Sequence, residues 1–286
     1  MRTITTKTQL CAVIGNPVGH SMSPAIHNAG YDALDLDFVY IACQVEDVPA
    51  ALNGMRALSN FRGMSVTIPH KIAAMDCVDE VAEVDRAIGS INTIIHDGGK
   101  LIGMGTDGPG ALKALNDAGV SVSGSRVLML GAGGASRAVG FTMAMHPGLR
   151  ELALLDINEP MLRGLAADLR AGTPAAIVDE VMTPDTLADA MSRADIVIHC
   201  TPIGMYPKVD ASLVPAELFR ADQVVFDIVY TPLETRLLAD ARSRGCRIIQ
   251  GVEMFLNQAV LQFEYFTGFS APVEAMRRVL MENLQK

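Results

Sequence analysis

The run Val127-Leu128-Met129-Leu130-Gly131-Ala132-Gly133-Gly134-Ala135-Ser136-Arg137-Ala138 constrains the fold more than any other part of the chain. Its four apolar residues read as a buried strand, the glycines as a tight turn, and the small residues after them as the start of a helix. A strand that feeds a helix in this way opens a parallel βαβ unit, because parallel strands need a crossover between them. Gly131 suits the tight turn, Gly133 lets the backbone approach a pyrophosphate, and the amides at the helix start supply donors aligned with its dipole. Ser136 departs from the usual fingerprint, which has Gly or Ala there. Alone, the pattern also describes an ordinary strand-to-helix connection. Asp156 changes that, since it ends the next expected strand roughly 20 residues on, where an acidic side chain binds both ribose hydroxyls. Gly131, Ala132, Gly133, Gly134, Ala135 and Asp156 are therefore expected to hold a nicotinamide dinucleotide. A carboxylate at Asp156 would meet the 2′-phosphate of NADP with like charge, and Ile157 adds no cation, so NAD is expected in preference to NADP. The competing role for Asp156 is to cap the following helix.

The alternation continues on both sides of this turn. Strands are expected at Val127 to Leu130, Glu151 to Asp156, Ala176 to Val178, Ile196 to Cys200, Val224 to Asp227 and Arg247 to Ile249. Leu162, Leu165, Ala166 and Leu169 repeat with helical period behind Asn158, a plausible N-cap. Thr183-Pro184 and Thr231-Pro232 read as helix starts. The first half has strands near Cys11 to Gly15, Phe38 to Cys43 and Gly63 to Ile68, with helices after Ser23, Val48 and Lys71. Ile91 to His96 and Leu101 to Gly105 flank Gly98-Gly99 as a β-hairpin. A helix from Gly108 to Ala118 leads into the second half, and helices from Met254 to Phe266 and Pro272 to Leu284 close the chain. The class is α/β, with two α/β domains.

The 286 residues, half of them hydrophobic, suffice for two cores. A net charge of −9 opposes nucleic acid and offers no basic block to a membrane, which favours small-molecule chemistry. Cys11, Cys43, Cys77, Cys200 and Cys246 are odd in number and contain no CxxC pair, as suits free thiols in a reducing compartment. The six histidines form no HxH or HxxxH cluster, so no metal is expected. The apolar run at Leu10 to Ile14 is short for a secretory segment, and Val127 to Met145 contains Arg137 and glycines, which argues against a membrane helix. A cytoplasmic protein is expected, and a homodimer is left open.

Polar residues gather in short motifs. An extended Ser21-Met22-Ser23 would put two hydroxyls on one side, able to grip a carboxylate, although Ser23 before Pro24 also reads as an N-cap. Ser65 and Thr67 share a face at the end of their strand, with Lys71 just beyond Pro69. Asn92 and Asp107 sit at strand ends or turns, where local backbone can satisfy them. Gln258 falls within an apolar helix, where a buried amide demands a partner or a polar ligand.

Together these segments resemble the shikimate dehydrogenase family, its quinate-oxidising members included, in order and spacing along essentially the whole chain. The resemblance is carried by Gly15-Asn16-Pro17 through Ser21-Met22-Ser23-Pro24, Val66-Thr67-Ile68-Pro69-His70-Lys71, Ser90-Ile91-Asn92-Thr93 and Thr106-Asp107-Gly108-Pro109-Gly110. It continues through Gly131-Ala132-Gly133-Gly134-Ala135, Thr201-Pro202-Ile203-Gly204-Met205, Asp227-Ile228-Val229-Tyr230-Thr231-Pro232 and Gly251 to Ala259. It implies an NAD(P)-dependent oxidoreductase acting on a CH–OH group of shikimate, or of a related cyclic polyol carboxylate such as quinate, within aromatic amino acid biosynthesis. It also implies an N-terminal substrate-binding domain, residues 1–110 completed by 252–286, and a Rossmann-type dinucleotide-binding domain with a parallel sheet, residues 111–251. The active site would lie in the cleft. By the same resemblance Ser21 and Ser23 bind the substrate carboxylate, and Lys71 and Asp107 form the catalytic acid–base pair. Ser65, Thr67, Asn92, Tyr230 and Gln258 belong to the polyol pocket, and Thr201, Ile203, Gly251 and Met254 lie near the nicotinamide.

Two positions depart from the family pattern. Ser65 and Gly105 stand where the family usually has Asn, so discrimination among substrate hydroxyls is expected to differ. Ser65 is expected to keep one hydrogen bond to donate, and Gly105 reads as a bulge able to shift Asp107. The alternative function is a nucleotide-responsive binding or regulatory protein of the same fold with little turnover.

Overall fold

The computed structural model describes residues 3–285. The chain divides into two compact units, Met1–Thr106 with Gln258–Lys286, and Asp107–Asn257.

The first unit runs β1 (Gln9–Gly15), α1 (Ser23–Ala33), β2 (Phe38–Gln44), α2 (Val48–Arg56), β3 (Phe61–Val66), a 3-10 turn at Ala73–Cys77, β4 (Glu80–Val81), α3 (Glu83–Ile88), β5 (Thr93–Asp97) and β6 (Lys100–Met104). Its sheet has the order β2-β1-β3-β5-β6-β4. The apolar runs of β1 and β3 bury almost every side chain, which suits parallel neighbours covered on both faces. β5 pairs antiparallel with β3 and β6, and the hairpin turn places Gly98 at φ 55° and Gly99 at φ 86°, as a two-residue turn with two left-handed positions requires. The segment after Lys71 is a 3-10 turn followed by β4 and α3, in place of the helix expected there; Ala74 alone of its five residues is buried, too little apolar face for a full helix.

The second unit begins with α4 (Asp107–Asp117) and runs β7 (Arg126–Leu130), α5 (Gly134–Ala144), β8 (Glu151–Asp156), α6 (Glu159–Gly172), β9 (Ile177–Val181), α7 (Pro184–Arg193), β10 (Ile196–His199), β11 (Val224–Asp227), α8 (Arg236–Ser243), β12 (Arg247–Gln250) and the start of α9 (Gly251–Thr267). Its six strands are all parallel, in the order β12-β11-β10-β7-β8-β9. β7 has β8 on one side and β10 on the other, so the strand order reverses at β7. Leu128, Leu130, Val197 and Val225 form the floor of the core, on which Leu187, Met191, Leu237 and Leu238 pack from α7 and α8. α9 continues past the boundary at Asn257/Gln258, and α10 (Val273–Leu284) packs on α1 in the first unit.

Helix starts show where local signals suffice. Asn158 accepts the Met161 N–H at 3.2 Å, and Thr183 accepts the Thr186 N–H within a reciprocal capping box, both as expected. Thr231-Pro232 is a misread start: α8 begins at Arg236, capped by Thr235, whose hydroxyl is anchored on Asp227 at 2.5 Å. Ser23 is no N-cap either, because Met22 holds that place and Ser23 is already helical. β9 extends to Val181, beyond the expected strand, as an edge strand whose Asp179 is paired with Arg163 and Arg170.

Candidate active site

In the second unit the residues of the expected dinucleotide site gather at the carboxyl ends of β7, β8, β10 and β12. Gly131 leaves β7 with φ 110°, a conformation that side-chain-bearing residues rarely adopt, and an added Cβ would stand 3.0 Å from Thr201 Cγ2. A Cβ on Gly133 or Gly134 would meet nothing within 4 Å, so the backbone there faces open space. α5 starts at Gly134 with no side-chain cap, which leaves its first-turn amides without intrahelical partners. Asp156 Oδ2 accepts the Ala132 N–H at 2.7 Å, and Oδ1 accepts the Asn158 N–H at 2.7 Å. One carboxylate thus braces the glycine turn and the entry to α6, while the helix cap itself is Asn158. Ser136 is completely buried at the third fingerprint position.

Thr201 follows β10, with its hydroxyl accepting the Ile203 N–H at 3.2 Å. Gly251 opens α9 so close to β11's exit that a Cβ would lie 2.4 Å from the Ile228 carbonyl oxygen. Met254 is buried one turn later. Tyr230 stacks at a tilt on Phe255, 4.7 Å between centroids, and burial pushes its phenol pKa up. Asp107 is the half-buried first residue of α4.

In the first unit Ser21 and Ser23 are adjacent but not extended, because Met22 between them is helical (φ −85°, ψ −7°). Ser21 Oγ accepts the Ser23 N–H at 3.3 Å. Thr67 follows β3, donating its N–H to Ile14 O at 2.9 Å, and Lys71 is half-buried just beyond. Gln258 is buried in α9.

Ser65 and Asn92 belong to one buried network centred on a residue the sequence reading missed, Gln262. Tyr40 Oη donates to Ser65 Oγ at 2.6 Å, and Ser65 Oγ donates to Gln262 Oε1 at 2.7 Å. Gln262 Nε2 donates to Thr93 Oγ1 at 2.9 Å and to the Asn92 carbonyl at 3.3 Å. Asn92 Oδ1 accepts the Thr106 N–H at 2.7 Å, and Asn92 Nδ2 donates to Thr106 Oγ1 at 2.9 Å. The expectation that Ser65 keeps a donor therefore fails: its single proton goes to Gln262, which leaves an acceptor only. Gln262 lies one turn after Gln258 on α9, and a second buried amide at that spacing was the available signal.

Gly105 is no bulge, since it lies past the end of β6, whose register with β5 is unbroken up to Thr93/Met104. A Cβ there would stand 2.7 Å from Asp85 Oδ1, and the Asp85 carboxylate accepts a hydrogen bond from the Gly105 backbone. The glycine makes room for a buried acid, whose pKa burial pushes up. Burial likewise raises the Cys11 and Cys200 thiols to about 12, so both stay protonated. Among the described residues no cluster of three or more His, Cys, Asp or Glu side chains is set to hold a metal, and no helix is long and apolar enough to cross a membrane.

Residues 13–94 match the shikimate dehydrogenase substrate binding domain, residues 251–281 the shikimate 5'-dehydrogenase C-terminal domain, and residues 125–207 the NAD binding domain of lactate/malate dehydrogenase. The shikimate dehydrogenase (NADP(+)) of Moorella thermoacetica is 43% identical over 96% of this chain and 93% of its own length. The Listeria monocytogenes shikimate 5-dehydrogenase, solved with shikimate and NAD, superposes with a TM-score of 0.92 at 31% identity, covering 98% of this chain and 99% of that one. The Corynebacterium glutamicum quinate dehydrogenase, solved with NAD, gives 0.90 at 29% identity, covering 96% and 99%. The chain belongs to the shikimate dehydrogenase family and is an NAD(P)-dependent oxidoreductase acting on a CH–OH group.

Proposed function

We propose that this protein interconverts shikimate, or a closely related cyclic polyol acid such as quinate, and its 3-dehydro ketone, with NAD preferred to NADP. The observation that carries the cofactor preference is the Asp156 carboxylate, bonded to the Ala132 N–H of the glycine turn. An acid at that point accepts from ribose hydroxyls and repels a 2′-phosphate. The relatives' names include NADP, so the preference rests on this chain's own residue. Similarity to proteins named for shikimate and for quinate supports the substrate class.

Bound nicotinamide supplies the hydride acceptor, and the protein's residues handle the proton and the orientation. Lys71 takes the proton of the reacting hydroxyl in oxidation and returns it in reduction, with Asp107 as its acid–base partner. Ser21 and Ser23 hold the substrate carboxylate. Thr67, Asn92, Tyr230 and Gln258 bond its hydroxyls, and Ser65 accepts from one of them. Gly131 to Ala135 cradle the pyrophosphate, while Thr201, Ile203, Gly251 and Met254 flank the nicotinamide end.

A kinetic matrix of shikimate and quinate against NAD and NADP tests the reading. Higher kcat/KM with NAD and turnover of at least one acid are expected. Asp156→Ala should narrow the NAD preference roughly tenfold or more, the worth of hydrogen bonds to a charged acceptor. Preference for NADP in the unaltered protein would overturn the cofactor assignment, and no turnover of either acid would overturn the substrate class.

A further inference from the structure

His199 ends β10 directly opposite Asp227 at the end of β11. Both are completely buried, with His199 Nδ1 2.9 Å from Asp227 Oδ1. Asp227 accepts two more protons, from the Val229 N–H at 3.0 Å and the Thr235 hydroxyl at 2.5 Å. An ionised carboxylate only accepts, so Nδ1 carries the proton and donates it. With His199 as the neutral Nδ1–H tautomer, the state proposed below, Nε2 is an acceptor. The group 2.5 Å from it is Thr201 Oγ1, which donates to that tautomer. With the Ile203 N–H also on Thr201 Oγ1 at 3.2 Å, the hydroxyl has no proton left and one lone pair open.

Thr201 lies where a dinucleotide is expected. Its methyl packs against Gly131, and β10 and β7 are the neighbours at which the strand order reverses, the place where open α/β sheets bind their ligands. A buried imidazole–carboxylate pair is a costly way to fill a core, because an apolar pair of similar volume is often as stable or more so. Its distinctive property is the direction it imposes on the Thr201 proton.

We propose that His199, as the neutral Nδ1–H tautomer, and Asp227 are positioning residues of the dinucleotide site. They hold Thr201 with its proton turned toward His199, so that it meets the dinucleotide as an acceptor only and selects a donor on the nicotinamide half. That donor is the carboxamide N–H2 or a ribose hydroxyl. The proposal rests on the reading of Gly131 to Gly134 as the dinucleotide turn.

Equilibrium titration of the full chain with NADH, followed by nicotinamide fluorescence, tests it without turnover. Thr201→Val is isosteric, leaves both buried partners in place and should weaken binding roughly three- to tenfold, the worth of one hydrogen bond. Thr201→Ser should restore it. His199→Phe should weaken binding over the same range, and the double variant should bind no worse than Thr201→Val, because both changes remove one interaction. The 3-acetylpyridine analogue of NAD, which lacks the amide N–H2, separates the two donors by calorimetry. If Thr201→Val abolishes the preference for NAD over the analogue, the donor is the carboxamide; if it weakens both equally, the donor is the ribose. Thr201→Val binding NADH as the unaltered protein does, or single effects that multiply in the double variant, would overturn the proposal alone. Failure of the unaltered protein to bind NADH would overturn the turn reading, and the proposal with it.

Discussion

In the second unit the glycine turn presents backbone to a ligand, whereas in the first the network around Gln262 is made of side chains that already bond one another. The glycine turn depends on what is missing: no Cβ at Gly131, where φ is 110°, and open space above Gly133 and Gly134. The network of Tyr40, Ser65, Gln262, Thr93 and Asn92 depends on what is present and on where each proton points. A backbone site is fixed by conformation, so a substitution disturbs it chiefly where it adds a side chain that the conformation cannot hold. A side-chain site is tuned by single residues, because each hydroxyl or amide has few bonds to give. The family's departures in this chain, Ser65 and Gly105, both fall in the first unit.

The largest effect expected separates chemistry from binding. Lys71→Ala should fold and bind NADH normally but lose roughly 10²–10⁴ in kcat, the usual worth of a general acid–base group. Near-normal turnover in a steady-state assay would reject Lys71 as that group. Next, Gly131→Ala forces a Cβ into a left-handed backbone against Thr201. A cost of about 1–3 kcal/mol should weaken NADH binding roughly fivefold or more while the acid pocket is untouched. Unchanged dissociation constants would break the contrast between the units.

A smaller and more selective effect is expected from Gln262→Leu. It strips the acceptor from Ser65 and the donor from Thr93, costing about 1–3 kcal/mol of stability for groups left unpaired. KM for the acid should rise severalfold with NADH affinity unchanged, and a normal KM in a destabilised protein would reduce the network to scaffolding. The smallest effect is on acid stability. His27 is completely buried and stacked on Tyr40 with ring centroids 4.3 Å apart, and burial pushes its pKa down to about 3. The unfolded chain, with an ordinary value near 6.5, takes up that proton first. The stability held above about pH 6.5 is therefore lost progressively as pH falls toward 3. His27→Phe keeps an aromatic ring in the stack and should show a shallower decline of Tm between those limits. A decline as steep as before would place the acid-sensitive group elsewhere.

The site was legible in uneven parts. The turn from Gly131 to Gly134 and the acid at Asp156 could be read directly, because glycine at a strand exit and an acid at the next strand's end are local signals. Gln262 was hidden because its partners, such as Ser65, lie as many as 197 residues away. His199 and Asp227 each end an unremarkable apolar strand, and only the pairing of β10 with β11 sets them side by side. Thr231-Pro232 misled because a Thr-Pro pair signals a helix start only where the hydroxyl reaches a free amide. Here Thr235 does so, accepting the Leu238 N–H.

The sequence by itself determined the alternation of strands and helices, the all-parallel second sheet, the hairpin at Gly98-Gly99 and the glycine turn. Each follows from hydrophobic period or from a backbone angle that only certain residues adopt, and those are properties of a few consecutive residues. Tertiary structure alone decided which atom receives each buried proton. It turned Ser65 into an acceptor, gave Gly105 its purpose beside Asp85, and bound Thr201 to His199. A side chain's hydrogen-bonding capacity is written in its chemistry, but its direction is set by the nearest partner, and folding brings that partner from distant segments.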